Sequence, residues 1–187
     1  MSTPRTVATP RIVATVVAAD LLRRLVAVHG AVMMHQSGGC CDGSAPMCYP
    51  AGEFIVGDRD VLVGLLDLRL AVGQSPADLP AGPDAVPVWI SGPQFDLWKH
   101  TQLVIDAVPG RGSGFSLETP EGVRFLSRGR AFDDHELADL AIDEPVTGEQ
   151  WEAGRRPAVP AQPQIVAEAA EACPVPPRSQ VVSRREG

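Results

Sequence analysis

The sequence is short of cysteine, histidine and aromatic rings. It holds four Cys, four His and one Tyr in 187 residues, and aromatics make up only 5%. It also lacks a membrane-spanning run, since no apolar stretch reaches the roughly 18 residues a bilayer helix requires. The stretch "IVATVVAADLLRRLVAVHG" comes nearest, but Asp20, Arg23 and Arg24 interrupt it. The opening "MSTPRTVATPR" has no apolar centre and no small-residue cleavage site, so no signal peptide is read there. The expected location is the cytoplasm. Positive charge is also scarce, and the net charge is −7. That excludes the basic surface on which nucleic-acid binding rests, and it disfavours docking on an anionic membrane.

Enough apolar residues are present for a core. Hydrophobic residues make up 44% of the chain, and mean hydropathy is +0.02, the balance of a water-exposed domain with a buried interior. The length suggests one domain with tails. Residues 1–11 read as a flexible arm, 12–142 as a single globular domain, and 143–187 as a disordered Pro-rich tail that carries Cys173. Within the domain the first element is a helix, with Thr15 as N-cap and Gly30 as stop. Val17, Leu21, Leu25 and Val28 form its apolar stripe. Strands are predicted at 31–35, 53–57, 60–73, 86–91 and 101–110. Residues 92–100 read as a helical turn, 114–132 as a hairpin turning at Pro120-Glu121-Gly122, and 133–142 as a short closing helix. The order gives an α+β fold: an N-terminal helix, a twisted, mostly antiparallel sheet of hairpins and a short C-terminal helix.

Cysteine, though scarce, is concentrated. Residues 35–48 read "HQSGGCCDGSAPMC" and hold His35, Cys40, Cys41 and Cys48. In a reducing compartment such a cluster signals metal or redox chemistry rather than structural disulfides. Thiolate and imidazole suit zinc, iron or an iron–sulfur cluster. His35 ends a strand, and Gly38, Gly39 and Gly43 let the backbone fold back, so His35, Cys48 and one or both of Cys40 and Cys41 are the candidate ligands. Asp42 is a spare oxygen ligand, or a partner that orients His35. No Cys-x-x-Cys knuckle of a zinc ribbon is present.

Two other readings use the same residues. In one, Cys40 and Cys41 act without metal as a vicinal redox or aldehyde-responsive pair. In the other, Cys40 pairs with His35 or His100 as an activated nucleophile, with Glu118 or Asp106 orienting the ring. Free cysteines also serve simply as small buried residues. His29 suits a helix C-terminus, and His135 reads as solvated. The Gly-rich stretch 109–122 lacks the Gly-Lys-Ser/Thr ending of a phosphate loop. Arg111, Arg124, Arg128 and Arg130 read as solvated or paired with surface acids.

The stretches His35–Cys48, "FDLWKHT" (Phe95–Thr101) and "GRGSGFSLETPEGVRFL" (Gly110–Leu126) resemble the motifs of a bacterial family known as domain of unknown function number 779. Members are commonly encoded beside aldehyde dehydrogenases, so the resemblance implies such an enzyme as partner and an accessory rather than catalytic role. A more distant likeness is to A-type iron–sulfur carriers with the HesB-like fold. It rests on "GGCCDG" (38–43), "LVID" (103–106) and "GFSLETP" (114–120). That likeness implies a HesB-like sheet and places Cys40 at the first ligand position. The carriers' C-terminal Cys-x-Cys has no counterpart here.

Overall fold

The computed structural model describes residues 6–37, 45–112 and 114–168. In chain order the strands are β1 (Thr6–Val7), β2 (Ile12–Thr15), β3 (Val32–Gln36), β4 (Met47–Pro50), β5 (Val61–Asp67), β6 (Ala85–Ile90), β7 (Thr101–Pro109), β8 (Val123–Ala131), β9 (Val146–Thr147), β10 (Val159–Pro160) and β11 (Ile165–Val166). The helices are α1 (Val16–His29), α2 (Gly92–Trp98), α3 (Asp134–Leu140) and α4 (Gly148–Glu152). Two main sheets form, with strand orders β11-β2-β7-β8 and β4-β3-β6-β5-β9; β1 and β10 make a small third one. The fold class is α+β, as expected. Its longest ladders are antiparallel, β7 with β8 and β5 with β6, whereas β2–β7 and β3–β6 run parallel.

α1 starts and stops where the sequence indicates. The Thr15 side chain accepts from the Ala18 N–H, and Gly30 takes φ 76°, a left-handed value open to glycine. Its buried face differs from the expected stripe. Ala18, Ala19, Leu21, Leu22 and Leu25 are buried, while Val17 is 55% exposed and Val28 75%. The rotation sets two alanines against the sheets, where small side chains let the helix approach closely. These five residues join one core with Ile12, Leu103, Ile105 and Phe125 from the four-stranded sheet and Met34, Leu66, Val88 and Ile90 from the five-stranded sheet. Burying each leucine contributes roughly 1.5–3 kcal/mol. At Gly64, beside a β-bulge, β5 passes so near β2 that an added Cβ would lie 2.8 Å from Ile12 Cγ2.

Five expectations need correction. β2 precedes the helix; Ile12, Val13 and Ala14 are all buried, a continuous apolar run typical of a strand flanked by parallel neighbours. Residues 53–57 form the end of a turn and irregular chain rather than a strand, and Phe54 and Val56 lie over the five-stranded sheet. The hairpin partner of β8 is β7, not residues 114–119; the connection closes through a 3₁₀ turn at Thr119–Glu121 and Gly122 at φ 69°. The stretch 143–168, expected as tail, supplies β9, α4, β10 and β11. Val146, Val159 and Ile165 are buried, and Gln164 donates its side-chain amide to the Leu65 carbonyl at 2.8 Å. Prolines at 145, 157, 160 and 163 suit short edge strands as well as disorder. Within the expected arm, Thr6–Val7 pairs with Val159–Pro160. Residues 1–5 and 169–187, including Cys173, lie outside the described residues.

Candidate functional site

The Cys-rich segment joins β3 to β4. These strands pair antiparallel with Met34 opposite Cys48 and His35 opposite Met47. Opposed residues share a face and neighbours alternate, so the register sends His35 and Cys48 to opposite sides of the sheet. Cys48 faces the main core with Met34 and is fully buried. His35 faces the other side, where Met33, Leu62, Trp89 and Val146 are covered by Tyr49, Phe54 and Trp151. Of the four candidate ligands, Cys40 and Cys41 lie outside the described residues, and His35 and Cys48 are not brought together. Among the described residues no group of three or more His, Cys, Asp or Glu is placed to hold an ion.

Each face carries its own polar cluster at the base of the segment. On the outer face His35 is 4% exposed, under Phe54 with ring centroids 4.4 Å apart. Its Nε2 lies 3.0 Å from Asp60 Oδ2 and its Nδ1 2.9 Å from Ser37 Oγ. A carboxylate only accepts, so Nε2 donates to it; in the neutral ring Nδ1 then accepts from the Ser37 hydroxyl. Asp60 is itself fixed, because Oδ2 also accepts from the Gly57 N–H at 2.8 Å. The turn carrying Asp60 is tied to the start of α4, where Gly148 N donates to the Asp60 carbonyl at 2.9 Å. Ser37 is exposed and leads into the segment with the vicinal cysteines.

On the core face Cys48 N donates to Ser116 Oγ at 2.8 Å, and Ser116 Oγ donates to the Glu118 carboxylate. Leu117 N donates to the Cys48 carbonyl at 3.0 Å. Ser127 donates to Gln36 Oε1 at 2.6 Å beside them. Burial, and secondarily the Glu118 charge, push the Cys48 thiol far above its ordinary range. It therefore stays protonated and unreactive. Burial also raises the Glu118 carboxyl, against hydrogen bonds from Ser116 and from the backbone N–H groups of Glu118 and Phe125.

The other candidates disperse. His100 and His29 are exposed, and His135 is 88% exposed with Asp139 3.6 Å away. Asp106 accepts from Thr15 Oγ1 and pairs with Arg128 rather than orienting a histidine. Arg130 pairs with Glu136. Asp60 and Ser37 were not singled out from the sequence. The only signal for Asp60 was its place in the polar turn "VGDRD", which carries nothing about His35; Asp42, the residue considered for that role, lies outside the described residues.

A family model described as "Domain of unknown function (DUF779)" matches residues 21–131. The chain belongs to that family. The matched span runs from within α1 to the end of β8 and includes both polar clusters, while β9 to β11 lie beyond it. No curated protein and no solved structure matches the chain. Among the described residues no helix is long and apolar enough to cross a membrane.

Proposed function

We propose that this DUF779 member is a small metal-binding accessory protein whose zinc or iron ion is held by His35 Nδ1 with Cys40 and Cys41. One observation carries the reading: Asp60 accepts from Nε2 of a buried His35, leaving Nδ1 at the hydroxyl of Ser37, two residues on in sequence and three before Cys40. A ligating histidine characteristically donates its other ring N–H to a carboxylate, which fixes the tautomer and raises ligand basicity. Ser37 then yields its hydrogen bond to Nδ1 when the ion binds. Three protein ligands leave a fourth position open, as in exchangeable or reactive zinc sites rather than closed structural ones. Cys48, in the core and protonated, is not among them. The family resemblance supplies the working context, an aldehyde dehydrogenase that receives the ion or is regulated by its carrier.

The same Asp60–His35 pair meets the geometric needs of a base held by an orienting carboxylate, which favours a Cys–His nucleophile as the second reading. Metal analysis and a visible spectrum of protein purified without oxygen separate the two, together with thiol titration before and after a chelator. The metal reading expects about one ion per chain, lost in His35→Ala and in Cys40→Ser. A metal-free chain in which Cys40 and Cys41 titrate freely without chelator, and a turnover lost in Cys40→Ser, support the nucleophile instead.

A further inference from the structure

The outer face of the five-stranded sheet holds a cavity of about 490 Å³ that the proposed metal chemistry does not use. Its floor is Met33 and Trp89, 4% and 3% exposed, and its walls include Phe54 and Trp151. The two indoles meet edge to face, with centroids 5.9 Å apart and planes at 88°. At the rim stand Asp58 and Glu152, and among the described residues no basic side chain lines the cavity. A volume in the few-hundred Å³ range, apolar and aromatic walls and a few polar groups are the marks of a small-molecule site.

The rim decides the charge of the occupant. Indole faces attract cations through the ring quadrupole, and carboxylates at the mouth add to that attraction. The chain itself provides an instance, since the guanidinium of Arg156 sits 3.9 Å from the Trp151 ring centroid. An anionic ligand meets two carboxylates and no lysine or arginine among the lining residues, and Arg156, nearby, is already stacked on Trp151. We infer that this cavity binds a small organic ammonium ion with an apolar body, its charge toward Asp58 and Glu152 and its body against Trp89 and Phe54.

The probe is benzyltrimethylammonium, titrated into the full chain and followed through the indole N–H signals by proton NMR, with benzoate as the anionic comparator of similar size. Three tryptophans report: Trp89 and Trp151 in the cavity, and Trp98 on α2. The expected result is saturable movement of the Trp89 and Trp151 signals, with Trp98 fixed and benzoate at least about tenfold weaker. Asp58 and Glu152 are exposed, so Asp58→Asn with Glu152→Gln leaves the fold intact and weakens the cation about fivefold to tenfold. Arg156→Ala frees a face of Trp151 and tightens the cation. Equal effects of cation and benzoate, movement of all three indoles together, or unchanged affinity in the double variant overturn the inference. Because none of these readouts involves metal, loss of the metal reading leaves this one standing, and the converse also holds.

Discussion

Cys48→Ala decides whether Cys48 packs or ligates. Its sulfur is fully buried in the main core, opposite Met34, while its backbone is held by Ser116 and Leu117. The substitution deletes one methyl-sized group and keeps both backbone bonds. Lost transfer energy and the small residual cavity together cost about 1–1.5 kcal/mol. In a chain of this size each kcal/mol lowers the unfolding midpoint by about 2–4 °C, so a fall of about 2–6 °C is expected. Metal content should not change, because the side chain points away from His35. The assay pairs thermal unfolding of the apo protein with metal analysis of protein purified without oxygen, and Cys40→Ser is run beside it. Cys40→Ser is expected to show the reverse: metal lost and the apo midpoint held. If Cys48→Ala loses its ion while the apo midpoint stays at the parent value, the sulfur is a ligand and the argument from strand register is wrong.

Asp60→Asn keeps the size of the side chain but removes the charge that orients His35; metal affinity, measured by chelator competition, should fall about 10–100-fold, and an unchanged affinity removes Asp60 from the site. Gly148→Ala drives a methyl into the Gly57 carbonyl oxygen, with the Gly57 carbonyl carbon at 3.0 Å and Val56 Cγ1 at 3.3 Å; it should cost about 1–3 kcal/mol and displace the turn that carries Asp60, so a stability equal to the parent argues against that packing. Glu118 titrates higher folded than unfolded, so the native state binds the extra proton; stability should fall as pH rises from about 4.3 toward the raised value, and Glu118→Gln should flatten that slope in unfolding curves taken across the window. Glu136, lowered mainly by its hydrogen bonds with Arg130, works in the opposite sense below that window, its contribution fading as pH falls, and Glu136→Gln should reduce the acid sensitivity of unfolding.

Local signals in the sequence were readable wherever one residue type does one job. Thr15 and Gly30 bound α1, because capping needs only near neighbours; for α3 the sequence leaves Asp133 and Asp134 both open as cap, and the structure selects Asp133, boxed with Glu136. The strand read at 31–35, found at Val32–Gln36, is also legible from its apolar run. Pairing is not. Ile12–Thr15 is a strand because β7 and β11 flank it, and nothing within those four residues distinguishes that from a lead into the helix. Residues 143–168 are low in apolar content and rich in proline, yet Val146 and Ile165 find places prepared by distant strands. The helix stripe departs from expectation for a related reason: which face is buried depends on how closely the sheets approach, and Ala18 and Ala19 permit the closer contact. At the site the cluster of residue types was visible, whereas Asp60 reaches His35 across 25 positions of sequence.

The separation of His35 from Cys48 follows from the period of a strand rather than from any particular contact. In the β3–β4 ladder an odd position on one strand meets an odd position on the other, so 35 shares a face with 47 and 34 with 48. A slip of one residue would exchange the faces, but three features pin the register. Ser116 and Leu117 hold the backbone of Cys48, Ser127 holds the side chain of Gln36, and Asp60 holds the ring of His35. These anchors lie on both sides of the sheet, so a slip would break polar bonds on both, leaving buried groups unsatisfied at a cost of about 1–3 kcal/mol each. The strand register therefore removes Cys48 from an ion bound through His35, and the proposal draws its sulfur from Cys40 and Cys41 in the connecting segment. Cys48 instead belongs to the frame that holds the ends of that segment in place.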